Sequence, residues 1–311
     1  MGHSEIAAIG VMEMRKSQDV ADFWFVSFAD SRLRKTHDRI VRQAEKMGVW
    51  GDRIVVFNEN DLDDGFRQKM ATRMRPGTRG FGYWCWKPQC VVQVLERMKD
   101  GDVLIYVDSG SHLNPKGVCR LLEYYQLAKK HGIVAFQARS LNVLDKNNLK
   151  AHFYREYEWT KGDLLDYFGV RQNEGVVRSG QFVANAFLVC KTDEAVALFR
   201  KYRDMFVDHF NLCDDTISTS QNIPGFISHR YDQSVFSLLA KTQGAYSLSN
   251  GEIEPIREMM PEGEDPRFYP DFLYEMNHCP IWAIRDKGEI RLWVPVFLRR
   301  LVRWWRRRNG K

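Results

Sequence analysis

Two carboxylates stand where a chain typically delivers charge into a ligand site. "LIYVDSGSHLN" at 104–114 opens as a continuous apolar run and ends in Asp108, followed at once by Ser109 and Gly110. That run reads as a buried strand. In open α/β sheets, ligands bind beyond the carboxyl ends of strands. A carboxylate there can hold a divalent metal, which in turn neutralises a diphosphate. The same acid would also cap the following turn, and the spacing leaves both readings open. Asp232 and Gln233 open "DQSVFSLLAK" (232–241), a short helix in which an aspartate is also a good N-cap. Asn185 lies in the apolar strand "FVANAFLVC" (182–190), where a buried amide needs partners from a ligand or from the fold.

The stretch "RGFGYWCWKP" (79–88) is the second concentration of chemistry. Arg79, Gly80 and Gly82 imply a backbone that lets other groups approach closely. Tyr83, Trp84 and Trp86 offer either core packing or a stacking surface, with Trp84 and Trp86 on alternate faces. Lys87 precedes Pro88, which suits the first turn of a helix. Near the N-terminus, "SFADSR" (27–32) follows a strand, so Asp30, with Ser31 beside it, is either a ligand contact or a helix cap. His37, His131, His152 and His209 have no partner pattern and read as structural or solvated.

These residues need elements to hold them. Strands are expected at 23–29, 52–60, 102–110, 132–138 and 182–190. Helices are expected at 32–48, from Pro88 to near Gly101, and at 118–131, 193–207 and 232–241. Strand and helix alternate through residue 140, so the fold class is α/β, a parallel or mixed sheet with helices on both faces. With 311 residues, no repeats and no low-complexity linker, one domain over 23–290 is expected, after an N-terminal extension (1–22) and before a tail (291–311). No apolar run is long enough for a spanning helix. The six cysteines are scattered without a CxxC pair, which argues against zinc and for reduced thiols of a cytosolic protein.

The ordered set "RGFGYWCWKP", "YVDSGSHLN" and "HRYDQS" resembles GT-A nucleotide-sugar glycosyltransferases, specifically the glycogenin and lipopolysaccharide galactosyltransferase type and a group of bacterial and viral polysaccharide enzymes. "YVDSG" resembles their Asp-x-Asp strand end, "QFVANAFLVCKT" their Asn-containing strand, and "DQSVFS" their Asp-Gln-Asp helix start. The resemblance implies a GT-A fold, a UDP-sugar donor and transfer to a polysaccharide, lipopolysaccharide or glycolipid acceptor, with retention of anomeric configuration. It implies donor binding by Asp30, Ser31, Arg79, Lys87, Asp108, Ser109, Gly110 and Asn185, and stacking or acceptor contacts by Tyr83, Trp84 and Trp86. Asp232 and Gln233 would hold the donor sugar or stabilise an oxocarbenium-like centre. A divalent ion, Mn²⁺ before Mg²⁺, would be held by Asp108 and His278. Two positions depart from the pattern: Gly110 replaces the second Asp of Asp-x-Asp, and Ser234 the last Asp of Asp-Gln-Asp. The His-x-x-Gly-x-x-Lys-Pro-Trp segment is absent, and His278 in "MNHCPIW" is the substitute histidine.

Charge is unevenly distributed. Residues 291–311 carry seven arginines, one lysine and no acid, so a net charge of +6 for the chain leaves 1–290 at −2, the difference between +6 and +8. A nucleic-acid footprint across the domain is therefore not expected. On a helical wheel the tail puts Val294, Phe297, Leu298, Leu301, Val302 and Trp305 on one face and arginines on the other. That pattern suits a helix lying in an anionic membrane interface, and places the protein at the cytoplasmic face of a membrane. A docked C-terminal helix is the alternative. A membrane-recruited carbohydrate-binding scaffold that has lost catalysis is the second functional reading. A sugar nucleotidyltransferase would need a Gly-rich phosphate loop after residue 29, and none is present.

Overall fold

The computed structural model describes residues 22–138, 154–253 and 278–286. The N-terminal extension and the basic tail therefore lie outside the described residues. Strand β1 (Phe23–Phe28) is followed by a 3-10 turn (Ser31–Leu33) and helix α1 (Arg34–Met47), then β2 (Ile54–Phe57). Helix α2 (Trp86–Leu95) leads to β3 (Val103–Val107) and the short β4 (His112–Leu113). Helix α3 (Val118–His131), β5 (Ile133–Gln137), β6 (Phe182–Cys190) and α4 (Asp193–Asp208) follow. Helix α5 (Asp232–Thr242), β7 (Tyr246–Ser249) and β8 (Ile281–Trp282) complete the described set, with shorter helical turns between.

Six strands form one mixed sheet in the order β2-β1-β3-β6-β5-β7. β1 pairs parallel with β2 and β3, β6 runs antiparallel to β3 and β5, and β7 is parallel to β5. β3 is buried on both faces, which explains its unbroken apolar sequence. Val103, Ile105 and Val107 point into a cluster with Trp50, Tyr124 and Phe136. Leu104 and Tyr106 point the other way, among Cys90, Phe187, Phe199 and Phe236. Residues of α1 and α3 complete the first cluster, and residues of α2, α4 and α5 the second, so helices cover both faces. Each large side chain buried in this way contributes roughly 1.5–3 kcal/mol.

Local differences from expectation have local causes. α2 begins at Trp86 rather than at Pro88 and ends at Leu95. Pro88 is its third residue, where a missing N–H leaves no bond unmade. The expected 32–48 helix is split, because Asp30 caps a 3-10 turn before α1 begins; Gly48, at φ 68°, ends α1. β4 and β8 pair only His112 with Trp282 and Leu113 with Ile281, too short to leave a period in the sequence. All six cysteines are free thiols, and all but Cys119 are buried. Among the described residues no helix is long and apolar enough to cross a membrane.

Candidate active site

A cleft of about 980 Å³ opens beyond the carboxyl ends of β1 and β3, with the start of α5 and the segment 278–286 on its rim. Its size fits a ligand larger than a simple metabolite. Asp30, Arg79, Trp84, Trp86, Lys87, Asp108, Ser109, Gly110, Asn185, Asp232 and Gln233 all line it. Ser31, Tyr83 and His278 do not. Ser31 turns away to Glu59, donating from both its backbone N–H and its hydroxyl. Tyr83 donates its hydroxyl to Asp215 and packs against Tyr231. His278 is exposed, with its ring beside the Cys279 thiol.

Lys87 is the hub of the cleft. Its ammonium donates to Asp232 Oδ2 at 2.6 Å and to the Ala184 carbonyl at 2.8 Å, and lies 3.3 Å from Asp108 Oδ1. The Tyr106 hydroxyl also donates to Asp108 Oδ1, at 2.7 Å. Lys87 is only 2% exposed, so these bonds replace water entirely. Burial alone would pull its pKa down, but the charges of Asp108 and Asp232 outweigh burial and hold it above the usual lysine value. Burial pushes the Asp232 carboxyl up to about 6 against the pull of Lys87. Lys87 therefore orders two carboxylates instead of reaching outward as a free cation.

Gln233 is oriented by a relay. Buried Glu156 can only accept hydrogen bonds, and it receives the Gln181 amide N–H at 3.0 Å; the Trp159 carbonyl, 3.3 Å away, takes the same amide nitrogen. The Gln181 amide oxygen therefore faces the other way, and it accepts from Gln233 Nε2 at 2.7 Å. With its NH₂ committed, Gln233 has its carbonyl oxygen left for the cleft, where it accepts from a hydroxyl. Lys241 Nζ, the Ser237 hydroxyl and the Thr160 hydroxyl complete the Glu156 shell.

The aromatic stretch proves to be a left-handed turn. Gly80, Phe81, Gly82, Tyr83 and Trp84 have φ of 55°, 51°, 94°, 56° and 62°. Trp84 N–H closes it on the Gly80 carbonyl at 3.2 Å. An L-residue in this region costs roughly 1–2 kcal/mol, so the three aromatics of the turn, Phe81, Tyr83 and Trp84, need compensation. Trp86 supplies some: it stacks on Phe28 at 3.9 Å and donates its indole N–H to the Gly80 carbonyl. Asp215 supplies more, accepting from the hydroxyls of Tyr83 and Tyr231 at 2.7 Å each, with Arg79 3.5 Å away. Trp84 stacks against Tyr231. Six described non-glycine residues have positive φ, and five of them (Phe81, Trp84, Tyr154, Tyr231 and Arg285) line the cleft. Strain concentrated in this way marks functional surfaces.

Several site residues leave little trace in the sequence. Arg39 of α1 donates to the carbonyls of Ser109, Ser111 and Asp286. Asp286 is fully buried and pairs with His112 at 2.8 Å, and its backbone N–H donates to the Gly110 carbonyl at 2.7 Å. This network fastens 278–286 onto the loop that carries Asp108. Asp30 both caps the 3-10 turn and pairs with Arg32 through two bonds, yet still lines the cleft.

The donor set suits a divalent ion poorly. Among the described residues no three His, Cys, Asp or Glu side chains converge. Asp108 Oδ1 already receives Tyr106 and Lys87, an ammonium separates Asp108 from Asp232, and Gly110 supplies no carboxylate. His278, the expected nitrogen ligand, does not line the cleft.

The fold is similar to those of solved glycosyltransferases. The galactosyltransferase LgtC, in complex with donor and acceptor sugar analogues, aligns at 13% identity over 83% of this chain and 85% of its own, with a TM-score of 0.44. Mouse xyloside xylosyltransferase 1 aligns at 11% identity over 90% and 94%, TM-score 0.40. A glycosyltransferase involved in glycosylation of the major capsid of PBCV-1 aligns at 8% identity over 91% and 98%, TM-score 0.41. No family profile matches the sequence, and no curated protein matches it either. A likeness of this size concerns the arrangement of strands and helices; the chemistry has to come from the cleft.

Proposed function

We propose that this chain is a glycosyltransferase that moves a sugar from a nucleotide-sugar donor, UDP-linked, to a glycan or glycolipid acceptor. The observation that carries the reading is the buried ammonium of Lys87 held between Asp108 and Asp232 at the carboxyl end of β3. Burying the Lys87–Asp232 pair, with the half-buried Asp108 beside it, is costly and rarely favours stability over an apolar equivalent. Such a trio at the floor of a large cleft speaks for chemistry, and against a scaffold that has lost it.

The reaction needs positioning and charge stabilisation more than covalent chemistry. The bond from the sugar's anomeric carbon to the diphosphate breaks with its electron pair leaving on phosphate. A new bond forms from the acceptor hydroxyl oxygen, whose proton passes to the departing diphosphate oxygen. Asp232, kept ionised and fixed by Lys87, faces the positive charge that grows on the anomeric carbon. The Gln233 carbonyl accepts from a sugar hydroxyl, and Asn185 and Ser109 line the same pocket. Trp84 and Phe81 offer flat surfaces for base or sugar, and Asp30 stands at the end of β1 where a ribose hydroxyl would bond. The divalent ion implied by the resemblance finds no converging donors among the described residues, so no step is routed through it.

Retention of configuration, a polysaccharide or lipopolysaccharide acceptor and attachment to the cytoplasmic face of a membrane through 291–311 belong to the same proposal. Thermal unfolding of the full chain across a panel of nucleotide sugars tests the donor class. A ligand of the native state raises the melting temperature. Stabilisation by one group of nucleotide sugars is expected, and none by any of them would remove the reading.

A further inference from the structure

We infer that the donor's diphosphate is held by Arg285 on the strap 278–286, in place of a divalent ion, so that donor binding and turnover proceed without metal. This rests on the nucleotide-sugar reading above. Four observations carry it.

The two central carboxylates already share one buried ammonium. Lys87, 2% exposed, lies 2.6 Å from Asp232 and 3.3 Å from Asp108, and the Tyr106 hydroxyl takes the same oxygen of Asp108. A metal entering between them would have to displace a buried ammonium.

The place of a further carboxylate is lined by backbone at van der Waals distance. A Cβ on Gly110 would lie 3.4 Å from Arg285 Cα and 3.8 Å from the Asp286 nitrogen. The Asp286 N–H donates to the Gly110 carbonyl at 2.7 Å. The strap therefore packs directly on the residue where a second ligand would project.

Among the described residues Arg285 has no counter-charge. It is exposed, lines the cleft, and makes no salt bridge or hydrogen bond among the described residues. Arg32 by contrast pairs with Asp30, and Arg79 with Asp215. Arg285 also holds φ 55°, a conformation that costs a non-glycine residue free energy and so needs enforcing.

The strap is fixed in place. Arg39 bonds the carbonyls of Ser109, Ser111 and Asp286, His112 bonds the buried Asp286 carboxylate, and β8 pairs with β4. A guanidinium on a fastened backbone loses little freedom on binding, and its planar fork matches two phosphate oxygens.

The test is calorimetric binding of UDP, and of inorganic pyrophosphate, to the full chain in EDTA and again in excess Mn²⁺. Both ligands are expected to bind in EDTA, with affinities that Mn²⁺ does not tighten. Arg285→Ala is expected to weaken both by about tenfold or more, the scale of a lost charge-assisted bond. Arg285→Lys should recover part of that loss. Arg285 is exposed, so the unliganded melting temperature of both variants should stay at the wild-type value. Binding that requires Mn²⁺ overturns this inference and leaves the glycosyltransferase reading standing. Arg285→Ala binding as wild type overturns the role of Arg285. If neither probe binds with or without Mn²⁺, the inference and the donor reading fall together.

Discussion

Lys87 Nζ lies 2.6 Å from Asp232 Oδ2, joining residues 145 positions apart in the chain. Through this contact the start of α2 is fixed to the start of α5, and the Asp108 loop is drawn in at 3.3 Å. Removing one member of a buried pair strands the other, at a cost of about 3–5 kcal/mol. Lys87→Met should therefore lower unfolding stability by about that much, read by urea denaturation. Lys87→Met combined with Asp232→Leu should recover part of the loss, because the one carboxylate left without its cation, Asp108, is a third exposed to water. Equal and additive losses would mean that the pair is not coupled.

Acidity should affect this site in two opposite ways. Asp232 has a folded pKa raised to about 6, above its unfolded value. The folded state therefore binds the extra proton more tightly, and this group's contribution to stability rises as pH falls through 6. Activity should move the other way, since protonated Asp232 no longer faces a growing positive charge. A kcat profile falling below about pH 6, with wild-type stability relative to Asp232→Asn rising over the same interval, is the expected pair of results. Parallel loss of both would show that the acid limb comes from unfolding.

The amide relay predicts an effect at a distance. Gln181 is fully buried and turns Gln233 by accepting from its NH₂. Gln181→Leu should cost stability about 1–3 kcal/mol for the unpaired groups left behind, and lower kcat beyond what stability explains. The distinguishing readout is a donor series lacking single sugar hydroxyls. Wild type should be sensitive to one deletion, and Gln181→Leu should be as insensitive to it as Gln233→Ala. Unaltered sensitivity in Gln181→Leu would remove the positioning role.

Two glycines separate backbone strain from packing. Gly80 and Gly77 both have positive φ, but a Cβ on Gly80 would lie 2.4 Å from the Trp84 ring, whereas one on Gly77 meets nothing within 4 Å. Gly77→Ala should cost only the strain term, about 1 kcal/mol, and leave activity unchanged. Gly80→Ala should add an overpacking cost of about 1–3 kcal/mol and move the aromatic wall. Equal losses in stability and activity would mean that the left-handed turn does not shape the cleft.

Much of the scaffold was legible because it obeys local rules. β3 reads as an unbroken apolar run and β6 as one interrupted only by Asn185, so Asp108 and Asn185 could be placed at a strand end and within a strand. Asp232 was legible as the first residue of a helix. Lys87 was legible as a site residue, but its burial between two carboxylates was not, because the partner lies on a different element. The Arg39, His112 and Asp286 network spans 174 residues between its last two members and has no period, so nothing local announced it. His278 in "NHCPIW" is the residue type that suits a metal, whereas Arg285 and Asp286, a few positions on, are the ones that reach the cleft. The left-handed turn was hinted at by Gly80 and Gly82 alone, since aromatics at positive φ are too uncommon to be expected.

The central claim is that Asp232, ordered by Lys87, serves transfer from a nucleotide sugar. The direct measurement is UDP release from a panel of UDP-sugars by the full chain, wild type against Asp232→Asn, with a soluble glycan acceptor present. Wild type should turn over at least one donor, and Asp232→Asn should lose about a hundredfold or more while keeping its fold. No release from any UDP-sugar, or release unchanged by Asp232→Asn, would contradict the account.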